Sequence, residues 1–249
     1  MNELIYKRYV FDVDEIFLLA GQYRITNLFL PQQVDLDTMD EQKEIEIVNN
    51  LTRKKFLRYE NDGFCLDSGL KDIFIGFETA KKRIILYSHN DNIKCFYVKD
   101  KYISVMEYVL YSINKVKVYE IAVNDIYEFL RAEADLPVKQ AEEYVSKVEF
   151  ETDFEFPESF ESAYTDDDMH REYLDKFVDE VAFDTPIPEL FETNGVESVM
   201  DIYERDNIQK RERIVFGHKF TEDCMVLCTD QDEKSLKAVN RENILEVFK

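Results

Sequence analysis

The spacing of apolar residues along this chain switches from a helical period to a period of two, and does so twice. Val10 to Asp14 is predicted as a short opening strand or a hydrophobic staple, and Asp14 with Ile16, Phe17, Leu18 and Leu19 opens a helix that ends before the turn-like Arg24 to Pro31. A second helix is predicted from about Met39 to Lys55, with Ile45, Val48, Leu51 and Thr52 on one face and Glu41, Glu44 and Glu46 largely off it. Phe56 to Tyr59 and Phe64 to Leu66 flank Asn61-Asp62-Gly63, and Asp-Gly between alternating apolar positions is a hairpin signal. A third helix, capped by Asp67 or Ser68, carries Leu70, Ile73, Phe74 and Phe77 inward. Two helices, a small wing and a third helix have the outline of a winged helix.

The period then changes to two. Arg83 to Tyr87, Ile93 to Val98, Tyr102 to Leu110 and Val116 to Ile121 are predicted strands, joined by loops too short for anything but antiparallel neighbours. The second half follows the same order. Asn124 caps a predicted helix through Ile126, Phe129 and Leu130; Asp135-Leu136-Pro137 starts another through Ala141, Tyr144, Val145 and Val148; and Thr165 with Asp168 opens a third through Met169, Tyr173, Phe177, Val178 and Val181. Pro186 and Pro188 leave room only for a short turn of helix to Phe191. After Gly195 the predicted strands are Val196 to Tyr203, Arg213 to His218, Cys224 to Thr229 and Leu236 to Phe248. The expected fold class is therefore α/β of the α+β kind, with halves at residues 1–122 and 123–249, each of helices followed by an antiparallel strand meander.

Charge narrows the partners. Lys and Arg number 31 against 53 Asp and Glu, a formal charge of -22, which repels phosphate backbones and anionic membrane surfaces. Nucleic acid is not an expected partner. The opening residues Met1 to Arg8 lack the apolar core of a signal peptide, and no apolar run approaches the ~20 residues that span a bilayer. The expected compartment is the cytoplasm, without membrane insertion. Residues 149–168 mix acids with Phe150, Phe154, Phe156, Phe160 and Tyr164 and hold no Lys, Arg or His, which reads as a mobile loop or a docking segment for a basic partner.

Candidate chemistry is sparse. Cys224 and Cys228 lie i, i+4 on a predicted strand, some 13 Å apart at ~3.3 Å per residue, too far to share a zinc ion. His89, His170 and His218 form no spaced motif. Asp166 to Asp168 lack the alternating ligands and glycine turn of a calcium loop and suit a helix N-terminus instead. No catalytic residue, metal or cofactor is expected. Thr52, Arg53, Lys54, Lys55 and Arg58 form the densest early basic cluster and support a rival reading as a winged-helix transcriptional regulator, against the acids of the same helix. An enzyme with a pocket assembled from distant residues ranks third.

The order of Asp14 to Leu19 leading to Leu30-Pro31, Leu51 to Leu57 with the Asp62-Gly63 wing, the Leu70 to Phe77 helix and the meander resembles the EspG-like chaperones of type VII secretion systems. The resemblance implies a cytoplasmic, non-enzymatic bacterial chaperone or adaptor that binds the apolar tip of helical-hairpin substrates, of the kind with a Trp-Xaa-Gly turn. By element order, one contact surface falls at Ser88, His89, Asn90, Asp91 and Asn92. The other falls on the second-half helices around Asn124 to Val148 and Met169 to Val181, with Tyr144 and Phe177 as contacts.

Overall fold

The computed structural model describes residues 6–26, 28–29, 39–60, 63–88, 92–109, 115–133, 145–146, 196–205, 207–219, 222–228 and 234–249. The chain opens with strand β1 (Tyr9–Asp12) and helix α1 (Val13–Tyr23). The backbone N–H of Asp12 donates to Glu15 Oε2 at 2.8 Å, which satisfies one of the donors a helix start leaves unpaired. Helix α2 (Glu41–Arg53) starts where Asp40 Oδ1 accepts the Lys43 N–H at 2.8 Å. Both helices stop in the same way. After α1 the N–H of Ile25 reaches back to the Ala20 carbonyl and that of Arg24 to Gly21; after α2, Phe56 reaches Leu51 and Lys55 reaches Thr52. These are Schellman turns, and the left-handed residue in each is Arg24 (φ 55) or Lys55 (φ 61), not glycine.

The turn after α2 also settles which face of that helix is buried. It folds Phe56 back under Leu51, so Ile47 and Leu51 are buried and Val48 packs beside them, while Ile45 is 55% exposed. Of the expected stripe Ile45, Val48, Leu51 and Thr52, Leu51 is buried and Val48 packs on the core, but the face is centred further toward Ile47, which leaves Ile45 and Thr52 outside. The hairpin β2 (Leu57–Glu60) and β3 (Gly63–Leu66) follows, then α3 (Ser68–Thr79), whose cap is Asp67 accepting from the Gly69 N–H at 3.2 Å.

The meander that follows consists of β4 (Lys82–Ser88), β5 (Asn92–Val98), β6 (Tyr102–Val109) and β7 (Lys115–Ala122). A 3-10 turn (Val123–Asp125) leads to α4 (Ile126–Glu133). The second half contributes β8 (Val145–Ser146), β9 (Val196–Glu204), β10 (Asn207–Lys219), β11 (Glu222–Cys228), β12 (Lys234–Ala238) and α5 (Arg241–Val247). Two sequence expectations are corrected here. Val145 does not lie in a helix: it pairs with Lys237 across the β8–β12 edge. Leu236 to Phe248 is not one strand, because Asn240 Oδ1 accepts the Asn243 N–H at 2.9 Å and starts α5, whose Ile244 and Val247 are buried with Phe248 at helical spacing.

One ten-stranded antiparallel sheet runs in the order β1-β7-β6-β5-β4-β9-β10-β11-β12-β8. Outward from its middle the two halves match strand for strand: β4 with β9, β5 with β10, β6 with β11, β7 with β12, and the short β1 with the short β8. The antiparallel β4–β9 joint, centred near the Ile85–Asp201 pair, places an approximate two-fold axis through the sheet. Each meander even runs out through the same tripeptide, Ala122-Val123-Asn124 and Ala238-Val239-Asn240, into α4 and α5, which pack on each other.

Both sheet faces are buried in the middle, as the unbroken apolar run Ile84 to Tyr87 requires. On one face Ile85, Tyr87, Ile93, Cys95, Tyr97 and Met106 join the buried residues of α1, α2 and α3. On the other, Ile84, Leu86, Phe96, Val105 and Ile202 meet Phe129, Ile244 and Phe248 from α4 and α5. Phe96 stands edge-on to Phe248, with ring centroids 5.4 Å apart, and fixes where the second layer sits.

Candidate protein-docking site

The hairpin joining β4 to β5 is the middle turn at one end of this sheet. Ser88 closes β4 opposite Ser198 of β9, and Asn92 opens β5 opposite Val109 of β6, so each root of the turn is held by a strand on its outer side. His89, Asn90 and Asp91 lie outside the described residues, as do Tyr144 and Phe177. The structure thus brings Ser88 and Asn92 to adjacent strand ends.

Beneath this turn, Tyr87 and Ile93 are buried on the face that carries α1, α2 and α3. There the segment after α1 is pinned to the sheet by two phenols. Tyr97 Oη accepts the Phe29 N–H at 2.8 Å, and Tyr108 Oη donates to the Phe29 carbonyl. Burial pushes both hydroxyls well above 10.0 and pushes the neighbouring Cys95 thiol up to about 12, with the Arg83 charge pulling the other way. All three groups remain protonated at neutral pH, so Tyr97, Tyr108 and Cys95 act as packing and hydrogen-bonding groups. Arg83 itself lies over the Tyr203 ring, 4.8 Å from its centroid.

Two buried ionic clusters went unread in the sequence. On the face of α4 and α5, Lys94, Glu107 and Lys117 stand in register across β5, β6 and β7. Glu107 Oε1 accepts from Lys117 Nζ at 2.8 Å, and its Oε2 accepts from Tyr119 Oη at 2.9 Å. Burial pulls the Glu107 carboxyl up, but the Lys94 and Lys117 charges and the Lys117 and Tyr119 hydrogen bonds outweigh it and hold the group below its ordinary 4.5. On the opposite face Arg213 grips Asp201 through two bonds of 2.6 and 3.0 Å, with both side chains almost wholly buried. The available signal was a charge inside an otherwise apolar strand run: Met200-Asp201-Ile202 and Ile93-Lys94-Cys95.

Three of the four cations in the basic cluster that favours a DNA reading are engaged within the protein. Lys54 pairs with Glu15 at 2.6 Å and with Asp12 at 3.5 Å, tying α2 to the start of α1. Arg58 pairs with Asp67 at 3.1 Å, and Arg53 bonds Asn50. Arg53, Lys54 and Arg58, placed against a phosphate, would first have to leave a carboxylate or amide. α4, expected at a contact surface, buries Ile126, Phe129 and Leu130 in the core. Cys224 and Cys228 do lie on strand β11, opposite Gly217 and Arg213, and His218 lies opposite Asp223. Among the described residues, no group of three or more His, Cys, Asp or Glu is placed to hold a metal, and no helix is long and apolar enough to cross a membrane.

No family model and no curated protein matches the sequence. Solved structures match by fold. The Mycobacterium tuberculosis type VII secretion system chaperone EspG5, solved in complex with a PE25–PPE41 dimer, aligns with a TM-score of 0.52 at 7% identity, over 97% of this chain and 94% of that chain. The chain has an EspG-like α+β fold of two pseudo-symmetric halves.

Proposed function

We propose that the protein is a non-enzymatic cytoplasmic chaperone or adaptor that binds helical-hairpin substrates of a type VII secretion system. The observation that carries this reading is the fold shared almost end to end with a chaperone whose solved complex holds a PE25–PPE41 dimer. A helical tip with bared apolar residues needs a complementary surface and no catalytic group, and a sheet-borne turn with fixed roots offers one. Ser88, His89, Asn90, Asp91 and Asn92 form the first contact in this reading, and Tyr144 and Phe177 belong to the second.

The test is co-expression of the full chain with small helical-hairpin secretion proteins, followed by size-exclusion chromatography and mass spectrometry of the peak. A stoichiometric complex is expected. Replacing residues 88–92 by a tight Asn-Gly turn should abolish it while leaving the melting temperature unchanged. Absence of a complex with any such substrate overturns the reading, and a complex indifferent to the shortened turn overturns the contact assignment.

A further inference from the structure

At the end of the sheet away from Ser88 and Asn92, roughly 20 Å along β4 at ~3.3 Å per residue, lies a cleft of about 500 Å³. It is lined by the cations Lys81, Lys82, Lys99, Arg205 and Lys249, with Asp100 and Glu204 as its carboxylates. In a chain with 53 acids against 31 bases, this local balance is the reverse of the whole. The frame beneath the cations is tied to the sheet. The N–H of Lys81 donates to the Val98 carbonyl at 3.1 Å, and that of Arg205 donates to the Lys81 carbonyl at 3.0 Å, so the ends of β5, β4 and β9 are locked side by side.

We infer that this cleft is a docking groove for an extended acidic segment of a partner polypeptide, laid across the ends of β5, β4 and β9. The cations come from the ends of three adjacent strands, a row about 10 Å across at their usual spacing, and from Lys249. The lining includes no aromatic side chain on which a nucleobase could stack. The carboxylates already present show what the row favours. Asp100 is held below its ordinary 3.8 by the hydrogen bond and charge of Lys81, with Lys101 adding to the effect. Arg205 takes Glu78 at 3.3 Å. Lys82 donates to the Val247 carbonyl at 2.9 Å and Lys99 to that of Asp72 at 3.3 Å, contacts with neutral oxygens that an incoming carboxylate can share or replace.

The experiment uses the full chain and a fluorescein-labelled octapeptide of alternating Glu and Ala, read by fluorescence anisotropy at low ionic strength. Saturable binding is expected, weakening as salt shortens the screening length. The variant Lys81→Gln/Lys99→Gln/Lys249→Gln, checked for an unchanged melting temperature, should bind roughly tenfold more weakly. Lys43→Gln/Lys55→Gln/Lys71→Gln, with the same change in net charge elsewhere, should bind as the parent does. No saturable binding by the parent, or equal losses in the two triple variants, overturns the proposal. Displacement of the peptide by millimolar inorganic phosphate at matched ionic strength also overturns it, because the site then takes a point anion rather than an acidic chain.

Discussion

Gly76 and Gly21 both lie in helices, yet replacing each with alanine should move stability in opposite directions. Gly76 is buried in α3, and a Cβ built on it would stand 2.0 Å from Ser104 Oγ, 2.9 Å from Ser104 Cβ and 2.9 Å from Lys99 Cε. The lysine can swing aside, and the serine can turn its hydroxyl away. Its Cβ cannot move without moving β6, so α3 must lift from the sheet. Overpacking of this kind costs about 1–3 kcal/mol, and the gain in helix propensity returns about 1 kcal/mol. Gly76→Ala should therefore lose up to about 2 kcal/mol, which at about 2–4 °C per kcal/mol for a chain of this size is a fall of up to about 8 °C in melting temperature. Gly21, near the end of α1, has nothing within 4 Å of its missing Cβ, so Gly21→Ala should gain up to about 1 kcal/mol. The assay is thermal unfolding by circular dichroism of parent, both single variants, Ser104→Gly and the double variant Gly76→Ala/Ser104→Gly. In the double variant the new methyl group occupies the space of the lost one, so it should be more stable than the sum of its singles. A Gly76→Ala as stabilising as Gly21→Ala, or strict additivity with Ser104→Gly, would refute the close approach of α3 to β6.

Asp201→Asn leaves the Arg213 guanidinium buried without its carboxylate and should cost about 3–5 kcal/mol, read as a fall in the urea midpoint. Since Glu107 titrates below 4.5 in the folded protein, its ionised form stabilises the fold fully above that pH, and the contribution is lost as pH falls through the folded value. Melting curves of the parent and Glu107→Gln should accordingly diverge above about pH 4.5 and converge in acid. Lys55 occupies a left-handed turn that glycine adopts without strain, so Lys55→Gly should raise stability by up to about 1 kcal/mol in the same unfolding assay. Iodoacetamide at neutral pH should alkylate the exposed Cys65 in native protein and reach the buried Cys95 only after denaturation, as peptide mapping by mass spectrometry will show.

Periodicity made most of the first half legible, because helix and strand demand different spacings and short loops allow only antiparallel neighbours. It failed where two answers share a period. Ile45 and Ile47 both continue a helical stripe through Val48, and only the turn that folds Phe56 under Leu51 chooses between them. It failed again at the end of the chain, where Val239, Ile244 and Val247 pass for an uneven strand unless Asn240 is read as a cap. The tripeptide Ala-Val-Asn at 122–124 and 238–240 marks the matching exits of both meanders and would have given that helix away. The ionic clusters depend on register between strands, which no single strand encodes: Lys94, Glu107 and Lys117 meet only because β5, β6 and β7 align them. The position of Ser88 and Asn92 followed from strand order alone, and nothing in their identity marks them.

The two-fold relation has a consequence for how the molecule can divide its labour. Because the axis runs through the β4–β9 joint, it exchanges the two ends of the sheet, and the turn rooted at Ser88 and Asn92 corresponds to the turn at Glu204 to Asn207 on the rim of the basic cleft. A dimer of identical half-length chains would have to show the same chemistry at both ends, so that Lys82 facing Glu204 at one would be copied at the other. In the single chain the corresponding pair is Ser88 facing Ser198. Joining the halves covalently frees the ends to differ, so that one sheet carries a cluster of cations at one pole and a serine pair at the other.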